Sequence, residues 1–185
     1  MIYECERRLQ IDAAAETVWQ WMADVRRLLR LNVFHAAVEY AEPVRQAGLE
    51  VPIRHNILWL YRRTRIARIR AYRTYFVAWG EIQDDGVDRF PHSQSFTVIP
   101  IDTRRCVVVN RLRGKFVIPG ARYWFLPFYR LLAPRLLSYE NRRIAAAVAT
   151  ITAVPLRRST DLYIRRGMHT EACLCQDACK GKLPW

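Results

Sequence analysis

The chain has 185 residues and 21.8 kDa, of which 51% are hydrophobic and 25% charged, a balance that excludes disordered and fibrous classes and fits one domain. Thirty Lys and Arg against seventeen Asp and Glu give a formal net charge of +13 and an isoelectric point near 10.1. All but Lys115, Lys180 and Lys182 of those cations are Arg, read first as a soluble cationic surface that would favour anionic neighbours.

Met1 to Gln10 (MIYECERRLQ) carries charge at four positions and no apolar core, so a secretory leader is not expected. The longest uncharged stretch, Ile144 to Leu156, is shorter than the ~20 residues a helix needs to span a bilayer. Five cysteines give no paired framework, and a reducing cytoplasm is the expected compartment, with peripheral membrane association as its variant.

Residues 2 to 11 alternate as a first strand that stops at Asp12. Asp12 is the expected N-cap of a helix whose core stripe is Val18, Trp19, Met22 and Val25. Arg26 to Leu31 is a second short helix or a continuation of the first after a bend. Six strand-like segments follow, around 35–41, 50–61, 64–72, 74–82, 90–101 and 104–114. They are broken by turn residues at Glu42-Pro43, Gln46-Ala47-Gly48, Asp84-Asp85-Gly86 and Pro100-Ile101-Asp102. Connections this short predict an antiparallel meander. Helix returns over Tyr123 to Leu132, and Pro134 opens a longer helix, Leu136 to Thr152, with Leu137, Ile144, Val148 and Ile151 on its apolar stripe. Its charged run, Glu140, Arg142 and Arg143, is expected to be solvated. Pro155 ends it, and 154–185 reads as a basic, cysteine-bearing appendage to a domain at 1–153.

This order of strand, helix pair, six-strand meander and long helix, with IDAAAETVWQWMAD at 11–24 and RFPHSQSFTVIPIDTRRCVVVNRLRGKF at 89–116, resembles the START-like or SRPBCC superfamily. The polyketide cyclase and dehydrase-like branch is the nearest match. The resemblance implies an α+β helix-grip fold: a curved antiparallel sheet wrapped around a long C-terminal helix, with an apolar cavity between them. It implies a hydrophobic small-molecule ligand, whether lipid, isoprenoid, polyketide or aromatic compound. It supplies no universal catalytic residue and no cofactor.

By the two-residue period, His92, Gln94, Phe96 and Val98 share one strand face, and Cys106, Val108, Asn110 and Leu112 share another. Arg105, Arg111 and Arg113 fall on the opposite side of the second strand and prefer water. His92, Gln94 and Asn110 are therefore the expected polar anchors of a pocket, with Phe96, Trp59, Tyr75, Trp79 and Tyr129 among its apolar walls.

Binding or transfer of the ligand is the first reading. A cyclase or dehydratase that uses His92 for proton transfer, with Tyr139 or Glu140 beside it, is the alternative. A third reading uses charge alone. The stretch YWFLPFYRLLAPRLL, with Arg130 and Arg135, would suit an anionic membrane surface, and the arginines of 54–73 could meet nucleic-acid phosphates, a partner less expected because strands split them between two faces and no recognised module fits the rest of the chain. The tail set His169, Cys173, Cys175 and Cys179 offers soft metal donors, but its single-residue gap departs from the usual zinc spacing, and a metal-free tail is expected.

Overall fold

A computed structural model describes residues 2–57, 61–83, 91–115 and 121–153. Trp59, the turn at Asp84-Asp85-Gly86, Pro155 and the tail set His169, Cys173, Cys175 and Cys179 lie outside them, as do the side chains of Tyr61, Tyr123 to Phe125, Phe128 and Tyr129.

The elements are β1 (Ile2–Ile11), α1 (Ala15–Met22), α2 (Val25–Leu29), β2 (His35–Val38), β3 (Glu50–Ile57), β4 (Tyr61–Arg73), β5 (Phe76–Gln83), β6 (His92–Pro100), β7 (Cys106–Lys115) and α3 (Ala121–Ala153). Seven strands form one sheet in the order β1-β7-β6-β5-β4-β3-β2, each pair antiparallel. The expected meander is therefore present, and β1 closes the far edge by pairing Ile2 with Lys115 and Ile11 with Cys106.

Alternation decides which face is covered. Gln94, Phe96 and Val98 on β6, Val77, Trp79 and Glu81 on β5, and Arg65, Ala67 and Ile69 on β4 are buried, whereas Arg68 and Arg70 point to solvent. Val18, Trp19 and Met22 of α1 pack on this inner face, as their helical spacing predicts, whereas Val25, expected on the same helix, joins them from α2 beyond the break at Ala23 and Asp24. On α3 the buried positions Ala133, Leu137, Glu140, Asn141, Ile144 and Val148 recur at three- and four-residue steps along one stripe. Among the described residues the apolar core falls into two clusters. The larger joins α1, α2, the inner sheet face, Ile144 and Val148; the smaller joins Tyr3, Cys5, Ala133 and Leu137.

Four details differ from the sequence reading. Asp12 caps no helix: α1 starts at Ala15 with no side-chain cap, its first turn being assisted instead by Glu16. The side chain that does cap is Asp24, which accepts from the Arg26 backbone N–H at the start of α2. Pro134 opens no new helix, because α3 runs unbroken through both Pro127 and Pro134. Each proline removes one backbone donor, a local loss that the packing of the buried stripe outweighs. Finally, Glu140 is only 3% exposed whereas Ile151 is 50% exposed, so the stripe passes through the carboxylate and leaves the core before Ile151.

Candidate functional site

Where the two apolar clusters meet, the inner face carries polar side chains. Gln94 and Asn110 come from neighbouring strands by the two-residue period, and Glu140 faces them from α3. Oε2 of Glu140 accepts from Gln94 Nε2 at 2.6 Å and from Asn110 Nδ2 at 2.7 Å, and Gln94 Nε2 also lies 3.0 Å from Asn110 Oδ1. All three residues are buried.

A second group centres on Glu81, which pairs across the sheet with His92. His35 Nε2 is 3.2 Å from its Oε1, while His55 Nε2 at 3.1 Å, His92 Nε2 at 3.2 Å and Arg65 Nε at 3.7 Å surround its Oε2. Five successive strands, β2 to β6, thus each place one side chain in a single cluster. Cross-strand register brings His35 opposite His55, with ring centroids 4.6 Å apart. The ring of His35 is fixed from behind, since its Nδ1–H donates to the Leu29 carbonyl at 2.6 Å. A carbonyl can only accept, so Nε2 is the nitrogen that faces Glu81. Arg65 Nη2 donates to the Glu81 main-chain carbonyl at 3.2 Å. The side chain of His92 is 16% exposed against 2% for Glu81 and 0% for His35, which makes it the accessible end of the group.

The two carboxyl groups are driven apart. Burial pushes the Glu140 carboxyl up, and although Asn110, Gln94 and the charge of His35 oppose this, the balance, with Glu81 repelling, is about 7. Glu81 is buried still more completely, yet His92, His35 and His55 outweigh that burial and hold its carboxyl well below the ordinary range. Burial acts against charge on His35, but the close carboxylate of Glu81 prevails and raises its pKa; on His55 burial prevails and lowers it. One carboxyl that stays ionised beside one that exchanges its proton near neutrality is a division of labour that acid–base sites use.

No family model and no curated protein matches the chain. Solved structures do. The Zhui aromatase/cyclase from Streptomyces sp. R1128 superposes with a TM-score of 0.66 at 13% identity, over 83% of this chain and 98% of that one. Norcoclaurine synthase from Thalictrum flavum, in complex with dopamine and hydroxybenzaldehyde, gives 0.62 at 13% identity, over 81% and 88%. A START superfamily protein from Mycobacterium smegmatis gives 0.59 at 16% identity, over 80% and 98%. The chain has the START-like helix-grip fold. At such identities the likeness is one of fold, and the chemistry has to be read from this chain's own side chains.

Of the expected anchors, Gln94 and Asn110 come together on Glu140 while His92 turns to Glu81 in the second group, and Phe96 and Trp79 on the same inner face stack at 5.7 Å between ring centroids. Tyr75 does not join them. It occupies the β4–β5 turn at φ 64°, sets its ring edge-on to Trp19 at 6.2 Å and donates its hydroxyl proton to Glu16. Glu81, His35, His55 and Arg65 were not singled out from the sequence. Glu81 had a usable signal, being two and four residues beyond the inward-facing Trp79 and Val77. The surface depression bounded by Asp12 and Asp102 to Arg105 is lined by none of the cluster.

Proposed function

We propose that this protein binds a hydrophobic small molecule against the inner face of its sheet, with the polar group of that molecule meeting the His92 end of the cluster. The observation that carries the reading is a seam of buried polar and titratable groups set between two apolar clusters, with one partly exposed imidazole at its edge. The START-like fold of its neighbours supports it. Solvent extraction of gently purified protein, followed by mass spectrometry against an unrelated control, tests it. A single apolar species near one equivalent is the expected result. An empty extract, combined with no displaceable binding of the fluorescent probe 8-anilinonaphthalene-1-sulfonate, would overturn the reading.

A second reading, conversion of the ligand by proton transfer as in a cyclase or dehydratase, is favoured specifically by the Glu140 carboxyl titrating near 7. Glu140 is the better candidate for that role than His92, whose Nε2 is directed at Glu81. Two neighbours of the fold, an aromatase/cyclase and a synthase holding dopamine and hydroxybenzaldehyde, support the same class of chemistry. Turnover of an extracted ligand that disappears in Glu140→Gln while affinity persists would establish it, and unchanged turnover would remove Glu140 from the mechanism.

A further inference from the structure

We propose that His35, His55 and Glu81 form a binding site for a divalent transition-metal ion of the Zn2+ or Co2+ type. Two imidazole nitrogens and one carboxylate are a donor set that such ions take, leaving a position open for water or a small ligand. The donor atoms of the three residues lie within 4.8 Å of one another. Each imidazole nitrogen lies against one carboxylate oxygen, His35 Nε2 at 3.2 Å from Oε1 and His55 Nε2 at 3.1 Å from Oε2, so the two histidines converge on opposite oxygens of the same carboxylate.

The polar accounting points the same way. His35 Nε2, His55 Nε2 and Glu81 Oε2 are buried, and each imidazole nitrogen lies at ion-pair distance from a Glu81 oxygen, Oε1 for His35 and Oε2 for His55, yet none of the three atoms has a hydrogen bond of acceptable direction. Buried polar atoms without directed bonds are costly, and a cation among these three would satisfy them together. The surrounding groups are arranged as metal ligands require. The Leu29 carbonyl accepts from His35 Nδ1–H and so leaves Nε2 to ligate, and Arg65 anchors the main chain of Glu81. His92 Nε2 at 3.2 Å and Arg65 Nε at 3.7 Å face the same Glu81 Oε2 from the neighbouring strands. All three ligands sit on strands of one sheet, so the ladder fixes their spacing before any ion arrives.

This site is independent of the hydrophobic ligand, since metal binding requires none. The test uses metal-free, full-length protein without an affinity tag, titrated with Co2+ and then with Zn2+. The expected result is one equivalent of Co2+ showing visible d–d bands, without the near-ultraviolet thiolate charge transfer that cysteine ligands would add, and displaced by Zn2+. His55→Ala is expected to weaken binding by ~100-fold or more. The triple change Cys173→Ser, Cys175→Ser and Cys179→Ser in the full chain is expected to leave it intact. If His55→Ala does not fold, Glu81→Gln, which keeps the side-chain volume, takes its place, and the Co2+ spectrum of the unaltered protein reports the donor set directly. Absence of Co2+ bands, a thiolate signature that vanishes in the cysteine variant, or undiminished binding in the folded His55 or Glu81 variant would overturn the proposal and leave a histidine–carboxylate ion-pair network.

Discussion

Glu140 is the residue whose environment is most sharply defined. Its carboxyl ionises at 4.5 in an unconstrained chain and at about 7 here, so the folded protein holds that proton more tightly than the unfolded one. Its contribution to stability is therefore greatest below pH 4.5 and falls as the pH rises to 7, by about 3 kcal/mol if the full difference is expressed. Glu81 acts with the opposite sign, because its depressed carboxyl loses stability only as the pH drops through its folded value; His35, raised, loses it as the pH rises. Glu140→Gln keeps an acceptor for Gln94 and Asn110 and removes only one of these titrations. Urea midpoints from pH 4.5 to 7.5 should decline less in the variant than in the parent, and identical profiles would mean that folding leaves the Glu140 carboxyl near its ordinary 4.5. The local sequence hides this residue. Glu140 followed by Asn141, Arg142 and Arg143 reads as a wetted face, yet it lies three residues after Leu137 and four before Ile144, so strict helical counting places it in the core. His35 and His55 have no such local signal. They meet Glu81 through strand register, which is a property of the whole sheet.

At the scale of elements, α2 is a five-residue helix too short to persist on propensity, so its cap and its packing hold it. Asp24 does more than cap. One carboxylate oxygen accepts from the backbone N–H groups of Arg26 and Val44, each at 3.2 Å, and the Arg26 guanidinium closes on both oxygens. Removing that carboxylate also strands the Val44 N–H in a buried site. Asp24→Ala should therefore cost ~2 kcal/mol or more, and Asp24→Asn distinctly less, in equilibrium denaturation. Equal losses in both would place the effect in charge rather than in capping. The strands were legible because period-two alternation and turn residues act locally: β6 and β7 begin and end within about two residues of expectation. Helix limits were not, because Pro134 and Asp12 send strong local signals that tertiary packing overrules in α3 and that an alanine turn bypasses in α1.

For the whole molecule, a net charge of +13 sets up self-repulsion that its ion pairs only partly offset. Glu39 with Arg54, Glu50 with Arg68, Glu6 with Arg111 and Asp102 with Arg105 are all at the surface, where such pairs contribute roughly 0–1 kcal/mol each. The pairs that matter more are the buried ones around Glu81 and Asp24, which salt screens least. Added sodium chloride therefore weakens the general repulsion among thirty cations more than it weakens the specific contacts that hold the fold. The urea midpoint at neutral pH should rise as ionic strength increases from about 0.01 to 0.15 M, where the screening length contracts from ~30 to ~8 Å. A midpoint that falls over this range would mean that the surface pairs govern, and that the arginine-rich face is held by its carboxylates rather than opposed by its own charge.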